Sequence, residues 1–568
     1  MKLNASCCIR ETYSNFKKKQ EFTNIVIKQS LVVNYIFRHI QQLYSNELQI
    51  HKPMCLGLII NYILEEKKMG FMTQLQNELN NEKCLTTNGA VGYATSGKKL
   101  LDINFSVTSL RKQPESEIIN KFMDAYYEDP ILAMRWLFYA RDCRQGIGER
   151  RLFRVVMKHL ADVKPDMVRS VLKLVAEFGR WDDLLCLLDS DVKYDVLAVI
   201  KKQLDEDKKN MSNNESISLL SKWAPSLNAS SQETKRYAAI ICKYLSMTPR
   251  QYRQMLSMMR HYIDVVECKM SAKKWSEINY EAVPSRANLI YNSAFLRNDE
   301  ERRRVYLNAL SKGDVKINAS VLFPDDIVHK YSHNYGYLRE VETLDGTLEG
   351  LWKALPTLTT ENTLVVRDGS GSMMGKPMDV STAMAIYMAE RSTGEFHNKF
   401  VTFGAKPKLI SLDGMDTLKE KLLKTYRETD CSNTNIKAVF DLILRTAVDN
   451  KMSQEDMPKN IVIISDMQFD GVRFNFTQPL FKTISNEYAK YGYLMPRLIF
   501  WNVDEYHSNV VPIQQNELGV VLMSGYSQNL VKMVMSGETD PYKCLIEQLN
   551  DKRYDAVEEA VKEFVNKM

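Results

Sequence analysis

The apolar run Leu364-Val365-Val366 leads into Arg367 and Asp368, and then into Gly369-Ser370-Gly371-Ser372. A buried strand that enters a small-residue loop and then a helix near Pro377 opens a βα unit, and so commits this part of the chain to an α/β sheet. Ligands of open α/β sheets sit outside the carboxyl ends of the strands. The loop places a carboxylate and two hydroxyls there, Asp368, Ser370 and Ser372, at i, i+2 and i+4. All are oxygen donors, the chemistry of a hard cation such as Mg²⁺. The same pattern predicts strands at 363–368, 399–404, 407–412, 461–466, 497–503 and 519–524, with an edge hairpin over Phe400–Ile410 that turns at Gly404-Ala405. Helices are expected near 379–393, 416–427, 435–449, 478–491 and 527–536.

A chain of 568 residues is too long for one core. The reading divides it into 1–71, an N-terminal extension; 72–345, an α-helical repeat-like domain; 346–540, the α/β domain; and 541–568, a helical tail. The stretch 1–68 is rich in Lys, Asn, Ile, Tyr and Gln without amphipathic period. Glu65-Glu66-Lys67-Lys68 precedes Met69 and Met72, and its purine-rich codons would resemble a bacterial ribosome-binding site, so a native start at Met69 or Met72 stands beside a real helical arm. The 10 cysteines are scattered with no C-x-x-C pair, which argues against zinc or a disulfide framework and for a reducing, cytoplasmic setting. No apolar run is long enough for a membrane span, so no membrane partner is expected.

Residues 73–113 read as a short helix and then a polar loop around Thr86–Gly97. From Pro114 the chain is helical. Pro130 and Pro165 suit first helical turns. Leu152 to Leu160 carries apolar residues at 152, 153, 155, 156 and 160. One helix is expected from Pro165 to about Phe178, a break at Gly179-Arg180-Trp181-Asp182-Asp183, and a further helix at Leu184–Leu188. Helix pairs joined by short loops suggest an α-solenoid-like, HEAT-like stack. Between Lys222 and Arg304 there are 15 Lys and Arg against 8 Asp and Glu, an excess of +7, larger than the whole chain's +6. Aromatics are interleaved, and a basic helical face with aromatics suits phosphate neutralisation and base stacking. The candidates for RNA contact are Lys235, Arg236, Lys243, Arg250, Arg253, Arg260, Lys273, Lys274 and Arg286. The alternative reading makes the aromatics core and the charges a solvated face.

Two further loops fall where a parallel sheet would bring them beside the first. Asp430-Cys431-Ser432-Asn433-Thr434-Asn435 precedes the helix Ile436–Val448, and Ile461-Val462-Ile463-Ile464-Ser465 ends on Asp466. Asp368, Ser370, Ser372, Thr434 and Asp466 together resemble the metal-ion-dependent adhesion site of a von Willebrand factor A domain. The resemblance implies a Rossmann-like, mostly parallel sheet, and Mg²⁺ (or Mn²⁺ or Ca²⁺) held directly by Ser370, Ser372 and Thr434, with Asp368 and Asp466 acting through water. An ion so held keeps much of its charge and an open position for a partner's acidic group. Arg367 and Gly369 depart from the family's usual residues. The charge of Arg367 would weaken the site unless strand alternation turns it away.

The runs Phe138–Arg151, Glu177–Asp183, Lys222–Ser226, Met270–Trp275 and Val283–Ala287 are similar to domain-of-unknown-function family 2828. Its architecture, helices followed by an A domain, looks like the TROVE module of Ro ribonucleoproteins, which implies binding of structured or single-stranded RNA. The leading expectation is a non-enzymatic scaffold that holds an acidic protein partner through the metal and RNA or protein through the helices, with no small-molecule substrate. Alternatives are a metal-dependent phosphohydrolase using Asp368, weakened by Ser at 370, and an adaptor for a separate AAA-type ATPase, since the chain has no G-x-x-x-x-G-K-[ST] loop of its own.

Overall fold

The computed structural model describes residues 83–332, 344–360, 362–403, 406–429, 435–470, 480–505, 510–512 and 519–565. All belong to the compact unit Asn81–Met568. The segment 1–71, with the starts at Met69 and Met72, lies outside the described residues, as do Thr434 and the turn at Gly404-Ala405.

The described chain opens with an antiparallel hairpin, β1 (Lys83–Leu85) and β2 (Val91–Tyr93), paired through Leu85 and Val91. This replaces the polar loop expected there. Three-residue strands are too short to show an alternating pattern in sequence. Helices follow: α1 (Lys99–Phe105), α2 (Glu115–Glu128), α3 (Pro130–Arg141), α4 (Arg151–Val163), α5 (Pro165–Val171), α6 (Val175–Phe178), α7 (Lys193–Ser212) and α8 (Leu220–Trp223). Then come α9 (Gln232–Tyr244), α10 (Pro249–Tyr262), α11 (Val266–Ser271), α12 (Ser285–Asn298), α13 (Glu300–Lys312), α14 (Pro324–Tyr331) and α15 (Gly346–Lys353).

The local chemistry that starts these helices is visible. Asp129 caps α3 by accepting from Leu132 N at 2.9 Å, with Pro130 in the first turn. Thr248 and Gln251 form a capping box on α10, ahead of Pro249. α4 buries Leu152, Phe153, Val155, Val156 and Leu160, the apolar face read from the sequence. Two expectations are corrected. The helix expected from Pro165 to Phe178 is broken by a 3₁₀ turn at Leu172–Leu174, and the one expected at Leu184–Leu188 is a 3₁₀ helix, Trp181–Leu187. Its start is fixed by the Asp183 carboxylate, which accepts from Arg180 N at 2.9 Å.

The second half is a six-stranded sheet: β3 (Thr363–Asp368), β4 (Lys399–Phe403), β5 (Lys408–Ser411), β6 (Asn460–Ser465), β7 (Arg497–Asn502) and β8 (Val520–Ser524), in the order β5-β4-β3-β6-β7-β8. Every neighbouring pair is parallel except β4 and β5, so the edge hairpin is as expected. Ile461–Ile464 and Leu498–Trp501 are wholly buried, as strands covered on both faces must be. The remaining helices are α16 (Lys376–Arg391), α17 (Leu418–Glu428), α18 (Ile436–Asp449), α19 (Leu480–Lys490), α20 (Val531–Met535), α21 (Pro541–Leu549) and α22 (Asp555–Val565).

The main hydrophobic core runs through both the helical and the sheet halves, and a second cluster around Tyr280, Phe295 and Tyr306 lies within the helical half. α16 is buried from Pro377 to Ala389, with β3 on one side and α14 on another. The C-terminal α22 packs on α3 and α5, and Arg135 ties it down through Asp555 and Glu558. Among the described residues no helix is long and apolar enough to cross a membrane.

Candidate functional site

The order of the sheet reverses between β3 and β6. β4 lies on one side of β3, and β6 followed by β7 lies on the other. That reversal is where doubly wound sheets open a crevice at their carboxyl ends. β3 delivers Asp368 to the crevice, fully buried, and β6 delivers Ser465 and then Asp466, 3% exposed.

Both oxygens of Asp368 are engaged. Ser370 N donates to Oδ1 at 2.8 Å, and Ser465 Oγ donates to Oδ2 at 2.6 Å. Burial, and after it the Asp466 carboxylate, push Asp368 up to about 7, against the pull of those hydrogen bonds. The Ser370 and Ser372 hydroxyls lie 3.1 Å apart. Asp466 accepts from Gln468 N at 3.1 Å, and Met467 between them sits in the left-handed region at φ 62°. A non-glycine residue held there marks a loop that the surroundings over-determine.

Arg367 and Gly369, the two residues that depart from the resemblance, have structural reasons. Arg367 is fully buried and turned away from Asp368 by strand alternation. Its guanidinium donates to Thr382 Oγ1 at 2.8 Å and Thr429 Oγ1 at 2.8 Å. Gly369 is required by the same packing, because a Cβ there would come within 2.4 Å of Thr429 Cγ2.

Two carboxylates and two hydroxyls at this crevice fit a hard divalent cation in kind. The structure brings together Asp368, Ser370, Ser372 and Asp466 of the expected set; Thr434 lies outside the described residues. Sequence reasoning missed Ser465, which holds Asp368, although it directly precedes Asp466. It also missed the hairpin's cover over the next loop. Thr86 Oγ1 donates to Phe469 O at 2.7 Å, and Asn88 donates to Gln468 O at 2.7 Å.

Comparison with known proteins places the chain. The model of a domain of unknown function, DUF2828, matches residues 86–196 and 193–361, and a second, DUF7788, matches 362–567. "Uncharacterized protein L728" of Acanthamoeba polyphaga mimivirus is 30% identical over 494 residues, covering 80% of this chain and 84% of that protein. The chain belongs to the DUF2828 family. The DUF2828 match ends at 361 and the DUF7788 match begins at 362, directly ahead of β3.

The DUF2828 half holds the basic stretch, and the candidates there divide. Arg236 forms a bidentate pair with Asp189, both contacts at 2.6 Å. Arg260 donates to Ser221 O, Ala224 O and Ser226 Oγ. Lys274 pairs with Glu277, and Arg286 with Asp326. Lys235 is half-buried. Lys243, Arg250, Arg253 and Lys273 are exposed and form no ion pair among the described residues. Of the interleaved aromatics, Tyr237, Tyr252 and Tyr280 are core residues.

Proposed function

We propose that the chain is a docking protein whose sheet half holds Mg²⁺ at the crevice between β3 and β6, and through it an acidic side chain of a protein partner. The observation that carries this reading is the pair of buried carboxylates, Asp368 and Asp466, on neighbouring strand ends beside the Ser370 and Ser372 hydroxyls. Asp368 already accepts two hydrogen bonds. It is therefore set to shape the site and balance charge, while Ser370, Ser372 and Thr434 serve as direct oxygen donors. A cation held by neutral hydroxyls keeps its affinity for an external carboxylate. The strand order with one antiparallel edge strand, and the resemblance to a von Willebrand factor A domain, support the same reading.

The test is thermal unfolding of the full chain with and without Mg²⁺. A cation that binds only the folded state raises the unfolding temperature. The rise is expected in the native protein and absent in Asp368→Ala and in the double variant Ser370→Ala with Ser372→Ala. No rise in the native protein, or an equal rise in the variants, sinks the proposal. Phosphate-ester turnover that disappears on Asp368→Ala would replace docking with hydrolysis.

A further inference from the structure

In the helical half, residues distant in sequence meet where Arg180 lies over the ring of Trp223. In the run 177–183 most residues are accounted for by the fold. A Cβ on Gly179 would lie 2.5 Å from Asp183 Oδ2 and 2.9 Å from Arg141 Nε, and Asp183 is the buried partner of Arg141 and Arg154. Arg180 has no such role. Its guanidinium carbon lies 4.5 Å from the centre of the Trp223 ring, and Lys222 Nζ lies 5.8 Å from the same ring. The exposed Arg150 is close enough to oppose the charge of Arg180. The carboxylates near Arg180 are Asp182 and Asp183, and both are ion-paired with Arg154. Arg150, Arg180 and Lys222 form no ion pair of their own among the described residues.

The patch is built rather than incidental. Arg260 grips the segment that carries Trp223 through Ser221 O at 2.8 Å, Ala224 O at 2.8 Å and Ser226 Oγ at 3.0 Å. Tyr252 OH donates to Pro225 O at 3.0 Å, which seats α10 against the same segment. A guanidinium laid on an aromatic face is ordered in advance and keeps its N–H edges for an anion, and the Arg fork matches a phosphate bidentately.

We propose that Arg180 and Lys222, held against Trp223, bind the phosphate backbone of single-stranded nucleic acid together with Arg150 on the Arg180 side. The helix seated on the same segment, α10, carries two further exposed cations, Arg250 and Arg253, unpaired among the described residues. Several separate cations suit a run of phosphates better than one phosphorylated side chain. The half-buried indole adds a surface for base stacking.

The experiment is fluorescence anisotropy of a labelled oligouridylate with the full chain over a salt series. The native protein binds, with affinity that falls as salt rises. Arg180→Gln weakens binding roughly tenfold and lowers the salt slope by about one. Arg150→Gln, at an exposed position that leaves packing intact, does the same. Arg169→Gln, which removes a surface cation paired with Asp166 and Asp195, leaves affinity unchanged. Absence of binding by the native protein overturns the proposal. So does an unchanged affinity in both Arg180→Gln and Arg150→Gln, an equal loss in Arg169→Gln, or tighter binding of a phosphopeptide than of the oligonucleotide.

Discussion

Asp183 shows how one residue can fix a motif. It is 1% exposed and takes Arg141 Nε at 2.8 Å, Arg154 Nε at 2.6 Å and the Arg180 amide at 2.9 Å. Removing one partner of a buried ion pair leaves uncompensated charge, so Asp183→Ala is expected to cost about 3–5 kcal/mol, read as a lowered denaturant midpoint. Gly369→Ala forces a Cβ into the Thr429 methyl, and overpacking of this kind costs about 1–3 kcal/mol. The same measurement checks it, with Gly369→Ala combined with Thr429→Ser recovering part of the loss. At this scale the oxygen donors of the crevice were legible because Asp368, Ser370 and Ser372 are neighbours in sequence and Asp466 ends an apolar strand. Strand alternation also allowed Arg367 to turn away. Its partners Thr429 and Thr382 were not legible, since each is reached only through tertiary packing. The charge excess from Lys222 to Arg304 was real in sequence, yet it could not show which cations were already spent on Asp189, Glu277 or Asp326.

Elements with a clear period or a clear cap could be read directly. α4 has its apolar face, α3 its Pro130 and Asp129, and the sheet strands their apolar runs. The short pieces could not: β1 and β2 are three residues each, and the 3₁₀ segments around Gly179 carry no helical period of their own. The tail was legible as helix but not as part of the core. Val557 and Val561 are buried, Arg135 Nη1 donates to Leu549 O at 2.8 Å, and Arg553 pairs with the buried Asp142. Truncation after Asn550 is therefore expected to uncover the apolar face of α3 and α5. The truncated chain should melt at lower temperature and bind more of an apolar dye than the full chain.

Across the whole molecule the helical half reaches the helix that follows the crevice loop. Asp325, buried on α14, pairs with Lys376 at the start of α16, and Asp379 in the same first turn accepts from Ser332 Oγ at 2.7 Å and meets His329 Nδ1 at 2.7 Å. The hairpin covers the loop after Asp466, and Asn502 at the end of β7 donates to Phe105 O at 2.9 Å. The family boundary at 361 and 362 is thus a boundary in sequence that packing crosses. Residues 362–568 produced alone should elute as aggregate in size exclusion, and co-production with 81–361 should restore a discrete complex. A monodisperse isolated segment would contradict that expectation. The placement of α22 also sets a clock on synthesis. Arg135 and its partner Glu558 are 423 residues apart. At about 5–20 residues per second a ribosome makes the partner roughly 20–80 s after Arg135. Throughout that interval α3 and α5 stand with the flank that α22 will cover still open to water.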